Sequence, residues 1–128
     1  MASPVVLDSS AILAVVFSEP GSDAILPLLQ GGLLSSVNLA EVHTRLLLRG
    51  ASPDFAWRRI LDLGCVICYF DDLQARHAAE LIGQTRSFGL SLGDRACLAL
   101  ALHHKATAYT TDAAWKNLDL EIDVRVIR

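Results

Sequence analysis

The sequence predicts an α/β fold, with a central, mainly parallel sheet and helices on both faces. Two observations carry that expectation. Short apolar runs of β character alternate with segments of helical character, and strands separated by helices pair in parallel through crossovers. Four acids, Asp8, Glu41, Asp94 and Asp112, also fall at the junctions where a strand hands over to a helix. In a parallel sheet those junctions share one edge, the one where ligands usually bind.

The elements follow in order. Val5–Leu7 is a first buried strand ending at Asp8. Ser9 or Ser10 can cap a helix running to Phe17, which Glu19-Pro20-Gly21 breaks. Ser22 to Gln30 reads as a helix closed by Gly31-Gly32, and Leu33–Ser35 as a short strand. Val37 to Arg49 places Leu39, Val42 and Leu46 on one helix face, with Gly50 as its stop. Ser52-Pro53 opens the next helix, with Pro at its first position, and Gly64 closes it. Val66 to Phe70 is a third strand. Asp71 or Asp72 caps a long helix to about Ser87, and Ser91 starts another, to His104. That last helix is apolar nearly all round, so burial is expected. Ala106 to Thr110 is a fourth strand, Asp112 to Trp115 a helical turn, and Ile122 to Ile127 a final strand.

A chain of 128 residues suits one domain, taken here as 1–128. Its longest apolar runs, AILAVVF and ACLALAL, are far short of the ~20 residues that span a bilayer. No basic stretch precedes an apolar one at the N-terminus, so a signal peptide is not expected and the default location is the cytoplasm. The net charge of −3 argues mildly against a nucleic-acid binder. A rim of Arg45, Arg49, Arg58, Arg59, Arg86 and Arg95 can still hold phosphates locally, or be ordinary surface arginines. Cys65, Cys68 and Cys97 cannot all pair within the chain. Cys65 and Cys68 have metal-ligand spacing, but they lie on one strand and point to opposite faces, so buried thiols are expected.

Each acid has a purely structural explanation. Asn38 to Glu41 and Ser91 to Asp94 both fit capping boxes, and Asp112 can simply cap its short helix. Asp8 can hydrogen-bond the turn that follows it. Four independent caps need not share a sheet edge, however, and clustered carboxylates repel one another unless a cation joins them. Hard oxygen donors suit Mg²⁺ or Mn²⁺.

The segments VVLDSSAIL (5–13), SSVNLAEV (35–42), LGDRACLALA (92–101) and YTTDAAW (109–115) resemble the four acidic motifs of PIN domains. Within that group the chain is similar to VapC toxins of prokaryotic toxin–antitoxin pairs, over nearly its whole length. The resemblance implies a three-layer α/β/α sandwich and a Mg²⁺- or Mn²⁺-dependent endoribonuclease. It implies that Asp8, Glu41, Asp94 and Asp112 are the metal-binding, catalytic acids. Ser10, Asn38 and Thr110 match positions that orient carboxylates, water or phosphate. Arg95 would contact phosphate or a neighbouring acid, or else form a structural salt bridge. The implied partners are an RNA substrate, a VapB-type antitoxin and a second copy in a homodimer. DNA would be reached only through the antitoxin, and no membrane is involved. Trp57, Leu46, Leu47 and Leu48 are more apolar surface than one helix face can bury, unless they fill the core.

Two other readings stay open. A Mg²⁺-dependent phosphohydrolase or receiver would use Asp8 as phosphoacceptor. The phosphohydrolase needs an Asp two residues on, where Ser10 stands, and the receiver needs a Lys after a strand. A catalytically silent binding module would keep the fold and the partner surface.

Overall fold

Strand β1 (Val5–Leu7) runs directly into helix α1 (Ser9–Val16), and a short α2 (Ser22–Ile25) follows. Then come β2 (Leu33–Ser35), α3 (Ser36–Leu48), α4 (Pro53–Leu61) and β3 (Val66–Cys68). Next are α5 (Asp72–Glu80), α6 (Ile82–Thr85) and α7 (Leu92–His104), with β4 (Thr107–Thr110) and β5 (Val124–Val126) last. These elements are those of a computed structural model that describes residues 4–127.

The strands form one sheet in the order β3-β2-β1-β4-β5, and each neighbouring pair is parallel. The expected mainly parallel sheet is thus wholly parallel among the described residues. The chain builds outward from β1 to β3, then crosses back to lay β4 on the other side of β1. That reversal makes the β1/β4 boundary a topological switch point, where a crevice opens at the strand C-terminal ends.

Alternation along β1 sends Val6 to one face and Leu7 to the other. Val6 joins Ala78, Leu98, Leu100, Ala108 and Trp115 in one core. Leu7 joins Ile12, Leu34, Val42, Ala56 and Ile60 in a second core. Two cores on two faces of one sheet give three layers, α1, α3 and α4 against α5 and α7. Helix α7 is buried without a break from Ala96 to Ala101, as its all-round apolar sequence predicts. Cys65 packs with the second core and Cys68 with the first, so the two thiols do face opposite ways. Only Cys97 is fully buried; Cys65 and Cys68 are half-buried.

Several boundaries differ from expectation. The first α1 cap is Asp8 rather than a serine, because Asp8 already accepts the Ala11 N–H. The helix expected over 22–30 shortens to α2 and a 3₁₀ turn over Leu26–Leu28, since Pro27 has no N–H for the α-helical ladder. The single long helix to Ser87 is divided into α5, α6 and a 3₁₀ turn at Arg86–Phe88. Gly83 is a weak helix former there, and the Thr85 hydroxyl takes the Leu81 carbonyl at 2.8 Å. β3 stops at Cys68 because its partner β2 stops at Ser35, and the Phe70 N–H turns to the Ser36 hydroxyl instead. β4 and β5 are shorter than expected at their ends. Of the apolar surplus on α3 and α4, Leu46 fills the core, whereas Leu48 is 77% and Trp57 44% exposed.

Close packing of α7 on the sheet leaves no room for a larger side chain at Ala99, which is fully buried. Ala99→Leu is expected to destabilise the chain by about 1–3 kcal/mol. Urea denaturation measures this, and a loss within error of zero would mean that the α7 layer is loosely packed.

Candidate active site

The β1–β4 pairing sets the site. Leu7 lies opposite Tyr109, so Asp8 and Thr110 come next to each other at the C-terminal ends of the two central strands. Asp8 is only 2% exposed. Its Oδ1 accepts from the Ser10 hydroxyl at 2.6 Å and the Ala11 N–H at 3.0 Å. Its Oδ2 accepts from the Thr110 hydroxyl at 2.7 Å. Burial raises the Asp8 pKa from 3.8 to about 6, against the lowering effect of those three donors. The negative charge of Asp94 raises it further.

The same hydroxyls carry the network to the fourth acid. Thr110 Oγ1 accepts the Asp112 N–H at 3.0 Å, and Ser10 Oγ accepts the Thr111 N–H at 3.0 Å. Asp112 caps the 3₁₀ turn Ala113–Trp115 by taking the Ala114 N–H at 2.9 Å, as its position predicted.

Glu41 reaches the site from α3. Its Oε1 accepts from Asn38 Nδ2 at 2.8 Å and from the Ser9 hydroxyl at 3.0 Å. Asn38 is not the N-cap that the sequence suggested. Ser35 caps α3, because the strand passes into the helix without a loop, and Asn38 lies inside the first turn. Its amide also donates to the Gly93 carbonyl at 3.0 Å, which joins α3 to α7.

Asp94 forms the predicted capping box with Ser91 at the start of α7. Its carboxyl pKa is raised, first by burial and then by the charges of Asp112 and Glu41. Asp94 therefore senses each of the other three acids, and it is the electrostatic hub of the group. The ion pairs among the described residues, Arg76–Glu80 and Arg125–Asp123, lie on the exposed surface and involve none of the four. Arg95 neither pairs with an acid nor turns to the crevice. Its Nη1 donates to the Ala78 carbonyl of α5 at 2.9 Å.

The side chains as placed do not close on a common point. Among the described residues, no three Asp, Glu, His or Cys side chains are arranged to grip one ion. Two open recesses flank the group. One, of about 360 Å³, is lined by Ser9, Leu13, Ala40, Glu41, Thr44 and Arg45. The other, of about 420 Å³, is lined by Ser10, Thr111, Asp112 and Ala113. A further recess of about 500 Å³ along Leu81, Gln84 and Leu120 contains none of the four acids, so its size gives it no claim on the chemistry.

Sequence reasoning missed Ser9 and Gly93. Ser9 had a signal in its place directly after Asp8. Gly93 had a stronger one, because a glycine inside a helix is unfavourable and calls for a reason.

The PIN domain family model matches residues 5–121. None of the curated proteins matches the chain significantly. Among solved structures, VapBC2 of Rickettsia felis bound to a DNA fragment from its promoter superposes with a TM-score of 0.72 at 16% identity, covering 97% of this chain and 98% of that one. FitAcB of Neisseria gonorrhoeae gives 0.69 at 23% identity, over 94% and 96%. VapBC-5 of Mycobacterium tuberculosis, a member of the VapBC family of toxin–antitoxin systems, gives 0.61 at 22% identity, over 99% of both chains. At such identities the likeness is one of fold.

The raised Asp8 pKa has a consequence for stability. The folded chain holds this proton more tightly than the unfolded chain, so stability falls as pH rises from about 3.8 through about 6. Ionised Asp8 then destabilises the metal-free fold by on the order of 3 kcal/mol. Asp8→Asn is expected to be more stable than the parent at pH 7.5 in EDTA, with the gap closing near pH 4. Urea denaturation at the two pH values checks this, and parallel curves would show that Asp8 ionises without penalty.

Proposed function

The chain belongs to the PIN domain family, and from that premise we propose that it is a Mg²⁺- or Mn²⁺-dependent endoribonuclease, the toxin of a toxin–antitoxin pair. The observation that carries the reading is the gathering of four mutually repelling acids at the sheet's switch point, with no basic side chain among the described residues paired to any of them. We take residues 1–128 as one domain.

The donor chemistry fits a hard divalent cation. All four groups are carboxylates, the hard oxygen donors that such a cation prefers. In this reading Asp8, Glu41 and Asp94 hold the cation directly or through water, and Asp112 helps hold it or a second one. When bound, the cation supplies Lewis-acid activation of a water and of the phosphate. The remaining work belongs to the chain. Ser10 and Thr110 fix both oxygens of Asp8, and Asn38 and Ser9 fix Glu41. One carboxylate accepts the proton of the attacking water. The products would carry 3′-hydroxyl and 5′-phosphate ends.

The two flanking recesses suit an extended single strand passing across the acids. Arg45 stands one helical turn beyond Glu41 and lines the first recess, which suits a contact to a phosphate next to the scissile one. Arg45→Ala is expected to raise KM several-fold and weaken the salt dependence of binding, with kcat little changed. Cleavage rates at two salt concentrations test it, and an unchanged KM would remove Arg45 from the substrate path.

The partner reading rests on the α3–α4 pair, which exposes Leu47, Leu48, Phe55, Trp57 and Leu61. A surface of this kind suits an antitoxin or a second copy of the chain. Any contact with operator DNA would come through the antitoxin. Among the described residues no helix is long and apolar enough to cross a membrane. The phosphohydrolase alternative is disfavoured by the burial of Asp8, which leaves the carboxylate little access for in-line attack on phosphorus.

The catalytically silent module has one observation in its favour: the carboxylates as placed do not converge. Cleavage decides between the two. Asp94→Asn keeps an oxygen for the Ser91 N–H, so the fold is expected to survive while metal-dependent RNA cleavage falls at least about a hundredfold. Purified protein free of antitoxin would be incubated with total cellular RNA, with Mn²⁺ or EDTA, and the cut ends mapped. Cleavage by the variant at the parent rate would refute the assignment.

A further inference from the structure

Glu41 is the acid that travels furthest to the site. It starts on α3, in the second layer of helices, and its carboxylate lies against the first turn of α7. What it lies against is Gly93. A methyl group built on Gly93 would fall 2.6 Å from Glu41 Cδ and Oε1, and closer still to Oε2. Those three are the nearest atoms it would meet, so the space above Gly93 is filled by the carboxylate and not by core side chains.

Nothing else asks for glycine here. Gly93 lies in the α7 helix, and its backbone is outside the left-handed region that glycine alone favours. Alanine would be the better helix former. One amide, Asn38 Nδ2, bonds both Glu41 Oε1 and the Gly93 carbonyl, so the same side chain presses the carboxylate onto the bare backbone. Asp94 follows Gly93 directly and feels the Glu41 charge.

We infer that Gly93 is a positioning residue for the reaction: its missing side chain seats the Glu41 carboxylate on the first turn of α7, beside Asp94. The inference rests on the proposed function of the same acids. It assigns the glycine a role in the site that is separate from holding the fold. The atoms displaced by a methyl group are the tip of a flexible side chain, so the fold can accommodate Gly93→Ala by letting Glu41 swing away.

The test compares parent, Gly93→Ala, Glu41→Asp and the double variant, all free of antitoxin. Three quantities are read: thermal midpoint in EDTA, Mn²⁺ affinity by electron paramagnetic resonance, and kcat and KM on RNA. Gly93→Ala is expected to melt at or above the parent temperature, yet bind Mn²⁺ at least about tenfold more weakly. Its kcat should fall by a similar factor, with KM little changed. Glu41→Asp shortens the acid by one methylene, so it should impair the parent. Adding it to Gly93→Ala should instead restore part of the Mn²⁺ affinity. Parent-like binding and turnover in Gly93→Ala would overturn the inference, and so would a large drop in its melting temperature, which would make Gly93 a packing residue. A parent protein that neither binds Mn²⁺ nor cuts RNA would overturn the proposed function, and this inference with it.

Discussion

An acid that is almost fully buried and yet held ready to ionise is the constraint from which the rest of this structure follows. Asp8 sits where β1 and β4 end, out of water, and its ionised form is disfavoured there. Three donors oppose that penalty, and each comes from a different piece of local geometry. Ala11 offers its N–H because α1 begins at once after β1. Ser10 lies in the first helical turn. Thr110 is supplied by the parallel register of β4. A shift of one residue in that register would bring Tyr109 or Thr111 beside Asp8 and would invert the faces of the strand. The sheet order, the abrupt strand-to-helix junction and the polarity of one threonine are therefore one requirement seen three times.

The second requirement is that acids from separate layers meet. The two cores lie on opposite faces of the sheet, so α3 and α7 do not share a hydrophobic interior. They meet through a polar contact at the start of α7. Asn38, 1% exposed and bonded to both sides, makes that contact. Among the described residues its own Oδ1 has no hydrogen-bond partner. Sites of this type trade stability for arrangement. Raised carboxyl pKa values at Asp8 and Asp94 show the same bias, since a chain selected for stability alone would put neutral groups there.

How much of this was legible in the sequence depends on the range of the forces involved. The strands and most helix starts could be read because their signals are local: an apolar run, a capping serine, a proline at a first turn. Ser91, Ser52 and Asp71 all cap as their sequence context indicates. Asp8 and Asp112 could be read because each follows a strand end. Glu41 lies inside α3 and Asp94 opens α7 after a 3₁₀ turn rather than a strand, so the expected strand-to-helix junction fails for those two. Misjudged features depend on a partner elsewhere in the chain. The extent of β3 is set by where β2 ends. Asn38 looked like a cap because its spacing to Glu41 is that of a capping box, while Ser35 already held that place. Arg95 looked like a phosphate ligand because it follows Asp94, but the next residue on a helix points about 100° away, toward α5. Ser9 and Gly93 act on Glu41 across 32 and 52 positions of chain, which no local pattern records.

Read along the sequence, each acid is either a helix cap or a ligand. In the proposed function the first role prepares the second. Asp8, Asp94 and Asp112 all accept backbone N–H groups at helix or 3₁₀ starts. At Asp8 and Asp94 those N–H groups favour the ionised form, which is the form a cation needs. The bonds also fix where each carboxylate stands before any ion arrives. Asp112 accepts the Ala114 N–H through one oxygen, and Asp94 is held by its own N-cap, Ser91. Such bonds hold an acid near a site without using all of its acceptor capacity, because a carboxylate has about four lone-pair positions. Capping and ligation compete only when they need the same lone pair, and at this sheet edge the caps determine which lone pairs are left over.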